Sequence, residues 1–108
     1  MKLYMFVEKG CKDCDYVLEN YLNPVEGWND FIQLMYLNDG NEEAEDLAKR
    51  FLVKQTPTFS MFDESLRVGY VNPTLNNVSK LEVFSKEYFE SVVKQAKILK
   101  SRQNKVEG

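Results

Sequence analysis

Residues 2–14 have the sequence KLYMFVEKGCKDC, an apolar run followed by the only two cysteines of the chain, three positions apart. The run from Lys2 to Val7 is rich in Leu, Tyr, Phe and Val, which favours a buried strand over a short helix. A C-x-x-C segment that opens a helix puts its first sulfur at the helix N-terminus, where free N–H groups and the helix dipole favour a thiolate. The second sulfur lies one turn away, within reach of a disulfide bond. Cys11 and Cys14 are therefore predicted to form a redox-active dithiol.

Length and composition predict one domain. The chain has 108 residues, 44% of them hydrophobic, which is enough to bury a core. We expect residues 1–108 to form a single domain with a polar tail from about 101 to 108. The net charge of −3 gives no basic surface for nucleic acid. No apolar run approaches the ~20 residues of a membrane span, and Met1 to Gly10 lacks a signal-peptide pattern. We expect a cytoplasmic monomer that binds neither nucleic acid nor membrane.

Helix and strand patterns alternate after the first strand. Apolar residues recur at helical spacing from Cys14 to Leu22 and stop at Asn23-Pro24. Phe31 to Leu37 is an apolar run of strand length, as expected for a central strand covered on both faces. Asn41 offers an N-cap for a second helix, whose apolar positions end at Phe51.

The second half of the chain predicts a hairpin and a last helix. Thr58 to Phe62 and Leu66 to Val71 flank a short polar loop, the pattern of an antiparallel hairpin. Asn72 to Phe84 is predicted as a loop with a short helical turn. Ser85 offers an N-cap for the last helix. The predicted order of elements is β-α-β-α-β-β-α.

This order and two motifs resemble the thioredoxin/glutaredoxin superfamily over nearly the whole chain. The first motif is Cys11-Lys12-Asp13-Cys14 at the junction of strand and helix. The second is Val53 to Phe59, which looks like the cis-proline loop of the family, with Thr56-Pro57 at its centre. The resemblance implies a thioredoxin-like α/β fold with a central mixed four-stranded sheet flanked by helices.

The resemblance also implies a substrate-binding role for Thr56 and Pro57. The bond between them would be cis and lie beside the dithiol, leaving the backbone of Thr56 free to pair with an extended substrate. A proline that starts an edge strand is the alternative interpretation.

The charges around Cys11 are expected to tune its thiolate. Lys12 favours the thiolate as a neighbouring cation, whereas Asp13 opposes it. Lys9 is expected to favour the thiolate as Lys12 does, and Glu8 and Asp15 are expected to oppose it as Asp13 does. Because the opposing charges nearly cancel, the helix terminus is expected to decide the stability of the thiolate.

Features of both subfamilies occur in this chain. It starts on the strand just before the dithiol, as glutaredoxins do. It lacks their paired glycine and acidic cap, because Gly69 is followed by Tyr70. Because the paired glycine and the acidic cap are missing, we expect glutathione to serve poorly as a specifically bound reductant. The chain also departs from thioredoxins, since Met5 stands where they often have a buried acid.

The leading hypothesis is a protein-disulfide reductase in which Cys11 attacks a client disulfide and Cys14 resolves the mixed disulfide. Its expected partners are a disulfide-containing client protein and an electron donor, either a flavin-dependent reductase or glutathione. No cofactor besides the redox-active disulfide is expected. Two cysteines without a histidine are too few for a zinc site in one chain, although two chains could share a metal.

Three alternatives stay open. The first is a non-catalytic thioredoxin-like binding module or subunit. The second is an oxidase or isomerase, which needs a more oxidising couple and a disulfide-forming compartment. The third is a vestigial or structural thiol pair, which a reducing cytosol disfavours.

Overall fold

The sheet has four strands in the part of the chain that the computed structural model describes, residues 2–62 and 75–107. They are β1 (Lys2–Val7), β2 (Ile32–Tyr36), β3 (Thr58–Phe62) and β4 (Leu75–Val78). Their order across the sheet is β2-β1-β3-β4. β1 runs parallel to β2 and antiparallel to β3, which is antiparallel to β4. The mixed four-stranded sheet predicted from the sequence is confirmed.

Three α-helices accompany this sheet in the described residues. They are α1 (Lys12–Val17), α2 (Glu42–Arg50) and α3 (Lys86–Glu107). A π-helical turn at Leu18–Leu22 prolongs α1, and single 3-10 turns lie at Trp28–Asp30 and Leu81–Val83. The predicted α/β class is confirmed.

Side-chain caps fix the starts of two helices. The Asn41 Oδ1 atom accepts a hydrogen bond of 3.2 Å from the amide of Ala44 at the start of α2. The Ser85 Oγ atom accepts one of 3.0 Å from the amide of Tyr88 at the start of α3. Each bond satisfies an amide that has no partner within its own helix.

Both faces of β1 are covered, which explains its continuous apolar sequence. Leu3, Met5 and Val7 point to a core shared with α1 and α3, whereas Tyr4 and Phe6 point to a core shared with α2. The helices contribute buried residues to both cores: Cys14, Val17, Phe89, Val93 and Ala96 to the first, and Ala44 and Ala48 to the second. The carboxyl end of β1 therefore delivers the chain to the cysteines from the centre of the molecule.

The described fourth strand lies outside the predicted hairpin. The predicted strand Leu66 to Val71 falls outside the described residues, and β4 lies in the segment predicted as a loop. Tertiary hydrogen bonds support β4: the Ser60 hydroxyl donates to Asn77 Oδ1 at 2.7 Å, and Asn77 Nδ2 donates to the Phe51 carbonyl at 2.6 Å. Local sequence preference does not identify this strand, because Asn is depleted in strands.

The last helix is longer than the sequence predicts. α3 continues to Glu107, beyond the start of the predicted polar tail at residue 101. Residues 101–107 include Arg102, Gln103, Lys105 and Glu107, which are good helix formers, so a polar composition does not stop the helix. Among the described residues, no helix combines the length and apolarity that crossing a membrane requires.

Candidate functional site

Cys11 and Cys14 come together where α1 begins. Cys11 is the N-cap of α1, with an extended backbone (φ −82°, ψ 111°), and Cys14 lies in the first turn. Their Cα atoms are 5.2 Å apart, within the range that a disulfide requires. Their sulfur atoms lie at disulfide-bonding distance.

The two sulfurs differ in exposure and in hydrogen bonding. Cys14 is fully buried in the core shared by α1 and α3, with 0% of its surface exposed, whereas Cys11 is half-buried. The Cys14 amide donates to Cys11 Sγ at 3.2 Å, the bond that an oxygen makes in an ordinary N-cap. Negative charge on Cys11 is therefore stabilised by a helix-start N–H, and the Cys11 sulfur is more accessible from solvent than the Cys14 sulfur.

The loop before Cys11 is held by the loop that follows β2. Asn38 Oδ1 accepts a hydrogen bond of 2.8 Å from the Lys9 amide, and Asn38 Nδ2 donates one of 2.9 Å to the Lys9 carbonyl. Gly10 turns the chain between Lys9 and Cys11 with a φ of +82°, a conformation that favours glycine. Asn38 thus fixes the backbone two residues before the proposed nucleophile.

The ammonium group of Lys9 forms an ion pair in the same loop, the one that follows β2. Lys9 Nζ lies 2.7 Å from Asp39 Oδ1, and this hydrogen bond raises the pKa of Lys9. Because the charges of Lys9 and Asp39 are opposite, the pair as a whole adds little net positive potential at Cys11. Asn38 and Asp39 were not singled out by the sequence analysis. Their signal is positional, since loops that follow adjacent parallel strands lie at the same edge of the sheet.

Thr56 lies next to the sulfur of Cys11, the more accessible of the two. Its carbonyl oxygen is 4.0 Å and its Oγ1 atom 3.8 Å from Cys11 Sγ. The Thr56–Pro57 peptide bond is cis, and the Pro57 side chain is fully buried. The Thr58 hydroxyl donates to the Gln55 carbonyl at 2.6 Å, which closes the turn around the proline. The structure therefore brings Thr56 and Pro57 to the dithiol.

Glu8 is a further residue of the site, and the sequence analysis treated it only as a charge. The Thr56 hydroxyl donates to Glu8 Oε1 at 2.8 Å, and Glu8 is half-buried. The strand register explains the contact: Phe6 pairs with Thr58, so the antiparallel register continued by two residues sets Glu8 opposite Thr56. A correct pairing of β1 with β3 is the signal that could have identified it.

Lys12 and Asp13 lie on the exposed first turn of α1. Within residues 2–62 and 75–107, neither side chain forms an ion pair. Lys12 lies one position and Asp13 two positions after Cys11, and both are open to solvent, which screens their charges. Their tuning role stays a prediction.

The chain was compared with models of protein families, with curated proteins and with solved structures, and nothing matched. The chemistry of the site is therefore the basis for a function. That site consists of one buried and one accessible sulfur at a helix start, with Thr56 and Glu8 beside the accessible one.

Proposed function

We propose that this chain is a thiol–disulfide oxidoreductase that reduces disulfides in client proteins. One observation carries the proposal: two cysteines lie at bonding distance, and the accessible one accepts an N–H bond at a helix start while the other is buried. A thiolate in that position is a good nucleophile, and a buried partner one turn away is placed to resolve its product.

The proposed reaction moves two electrons from the dithiol to the client. The Cys11 thiolate attacks one sulfur of the client disulfide, the client S–S bond breaks, and the departing client sulfur takes a proton from solvent. Cys14 then loses its proton and attacks Cys11 Sγ in the mixed disulfide. The second client sulfur leaves and is protonated, and the Cys11–Cys14 disulfide remains. The client is reduced, and the protein is oxidised.

The fold that we propose for this reaction is thioredoxin-like. Three features support it: the sheet order β2-β1-β3-β4, helix-derived cores on both faces, and the Thr56–Pro57 loop at the dithiol. In that arrangement the backbone of Thr56 binds an extended client segment, as a strand does at the edge of a sheet. Lys12 and Asp13 line the approach to Cys11.

A complete catalytic cycle needs an electron donor and a reducing compartment. We propose a flavin-dependent reductase or glutathione as donor and the cytoplasm as compartment, where thiols are kept reduced. The argument against a specific glutathione site depends on Gly69 and Tyr70, which lie outside the described residues. The turnover assay with a thioredoxin reductase system and with a glutathione system distinguishes the two electron donors.

Trapping of the mixed disulfide tests the proposal. A Cys14→Ser chain, mixed with a peptide that contains one disulfide, is expected to accumulate an adduct at Cys11, because the resolving sulfur is absent. A Cys11→Ser chain is expected to accumulate none. Mass spectrometry of the digested adducts locates the bond. An adduct on Cys11→Ser alone would reverse the assignment of nucleophile.

Turnover distinguishes the enzyme from a binding module. The unmodified chain is expected to reduce the peptide repeatedly when coupled to a thioredoxin reductase system or to a glutathione system. The Cys11→Ser, Cys14→Ser double variant is the control and is expected to show the background rate. Equal rates for the two chains in both systems would reject the enzyme and favour a non-catalytic module.

A further inference from the structure

The hydroxyl of Thr56 stands between two acceptors and has one proton to donate. It donates to Glu8 Oε1 at 2.8 Å, while Cys11 Sγ lies 3.8 Å from the same oxygen. The oxygen acceptor is at the usual distance for an O–H···O hydrogen bond, whereas the sulfur is farther away. The sulfur is therefore the less favoured acceptor as long as Glu8 is ionised.

We propose that Glu8 is a positioning residue that withholds the Thr56 hydroxyl from Cys11 and thereby limits the stability of the Cys11 thiolate. The inference deepens the proposed function, since it concerns the nucleophile assigned there. Glu8 touches neither the sulfur nor a client in this scheme. It acts through the direction of one hydroxyl and through its own charge.

Once the disulfide is reduced, Glu8 and the Cys11 thiolate compete for the Thr56 hydroxyl. When the Cys11 thiol ionises, its proton passes to water, and two anions then face one donor. The Thr56 proton stays on its own oxygen and only its direction is in question. With Glu8 present, the thiolate depends on the Cys14 amide, which donates at 3.2 Å. Without Glu8, rotation of the hydroxyl adds a second bond to the thiolate, which lowers the pKa of Cys11.

Other charged residues lie on the elements around Cys11, and their effect on its pKa has to be separated from that of Glu8. They are carried by α1, by the loops that follow β1 and β2, and by the loop before Pro57: Lys9, Lys12, Asp13, Asp15, Asp39 and Lys54. None of them shares the Thr56 hydroxyl, whose partners are Glu8 and Cys11. Their influence is purely electrostatic, so it should be the same with or without that hydroxyl.

The test is a double-mutant cycle on the pKa of Cys11. The reduced full-length chain is alkylated with iodoacetamide between pH 4 and 10, and mass spectrometry follows the adduct at Cys11. Glu8→Ala is expected to lower this pKa by about one unit, through lost charge and a freed hydroxyl. Thr56→Val alone is expected to leave it within about 0.3 unit, because the hydroxyl is committed to Glu8. In a chain that also carries Thr56→Val, Glu8→Ala is expected to shift the pKa of Cys11 by about half as much as it does in the presence of Thr56.

Two matched controls sharpen the cycle. Asp15→Ala removes an exposed carboxylate of α1 that is not an acceptor of the Thr56 hydroxyl, and the pKa shift that it causes is expected to be equal with Thr or Val at position 56. Thr56→Ser keeps the hydroxyl and is expected to restore the full effect of Glu8→Ala. If the Val chain fails to fold by circular dichroism, Thr56→Ala replaces it.

Two outcomes overturn the inference. Equal shifts for Glu8→Ala in the Thr and Val backgrounds would mean that Glu8 acts by charge alone. A pKa raised by Thr56→Val in the presence of Glu8 would mean that the hydroxyl already serves the sulfur. Alkylation requires no client and no electron donor. Failure of turnover would therefore reject the proposed function without changing this readout.

Discussion

At the scale of single residues, Asp13 is the nearest anion to Cys11 along α1. It lies two positions after the proposed nucleophile and is exposed. A carboxylate there disfavours a second negative charge, so Asp13→Asn is expected to lower the pKa of Cys11. Solvent screening limits the change to a few tenths of a unit, on the order of an exposed charge pair.

Absorbance of the thiolate at 240 nm, titrated in the reduced chain, measures this change. Lys12→Gln is the matched control, because it removes the adjacent cation and is expected to shift the pKa of Cys11 upward. An unchanged or higher pKa in Asp13→Asn would show that the carboxylate does not act on the sulfur.

The residues that sequence analysis identified are those with a local signal. Cys11 and Cys14 are three positions apart, and Thr56 precedes a proline. The contacts of Glu8 and Asn38 span 48 and 29 positions of the chain, and no local pattern encodes them. They become visible when β1 is paired correctly with both of its neighbours.

At the scale of elements, the loop that joins β1 to α1 depends on the loop after β2. Asn38→Ala removes both hydrogen bonds to the Lys9 backbone. Exchange of the Lys9 amide hydrogen is expected to become roughly fivefold faster, as the loss of one ordinary hydrogen bond predicts. Asn20→Ala, in the π-helical turn that prolongs α1, is the control, since the hydrogen bond that Asn20 donates in the described structure goes to the Tyr16 carbonyl. Equal exchange in Asn38→Ala and the parent chain would show that this loop holds its shape unaided.

Packing of α3 on the sheet predicts an alkaline loss of stability. The Tyr88 ring meets Phe59, Phe84 and Phe89 at 6.1, 6.0 and 5.3 Å between centroids, and burial raises the pKa of Tyr88. The folded state thus holds the phenolic proton to a higher pH than the unfolded state does. Stability from this group is complete below pH ~10 and is lost as the pH rises through the folded-state pKa.

Urea unfolding between pH 7 and 11 tests this dependence. The difference in unfolding free energy between the parent chain and Tyr88→Phe is expected to be constant up to about pH 9. Above pH ~10 the parent is expected to lose stability relative to the variant. Parallel curves up to pH 11 would contradict a raised pKa for Tyr88.

The elements differ in how far the sequence predicts them. β1 and β3 have the predicted bounds, Lys2–Val7 and Thr58–Phe62, because apolar residues predominate in both. β4 has the sequence LNNV and depends on pairing with β3 and on the bonds of Asn77. A strand held by tertiary hydrogen bonds carries no local hydrophobic pattern.

At the scale of the whole molecule, the two cores explain where the site lies. The continuous burial of β1 requires helices on both faces, which makes β1 a central strand. The expectation that Phe31 to Leu37 would be the central strand covered on both faces is wrong, because β2 lies at the edge of the described sheet and is only partly buried. In such a sheet the loops at the carboxyl ends of parallel strands form the natural binding edge. Cys11 and Asn38 follow β1 and β2 at that edge. Thr56 reaches it because β3 is antiparallel and begins where β1 ends.

The reduction potential of the Cys11–Cys14 couple depends on the charges that the fold places around Cys11. The Lys9–Asp39 pair adds no net charge, so the other charged groups around Cys11 are Lys12 and Lys54 against Glu8, Asp13 and Asp15. An excess of negative charge opposes the Cys11 thiolate, and a less stable thiolate makes a stronger reductant. We therefore expect a potential of about −270 to −200 mV, nearer the thioredoxin end of that interval.

Equilibration of the chain with glutathione buffers, read by the mass of the alkylated reduced form, measures the potential. Removal of Asp13 and Asp15 together is expected to move it toward more oxidising values, because both substitutions favour the thiolate. Lys12→Gln is expected to move it the other way. A potential near −120 mV in the parent chain would contradict a reductase, since a couple that oxidising stabilises the dithiol and would draw electrons from client thiols.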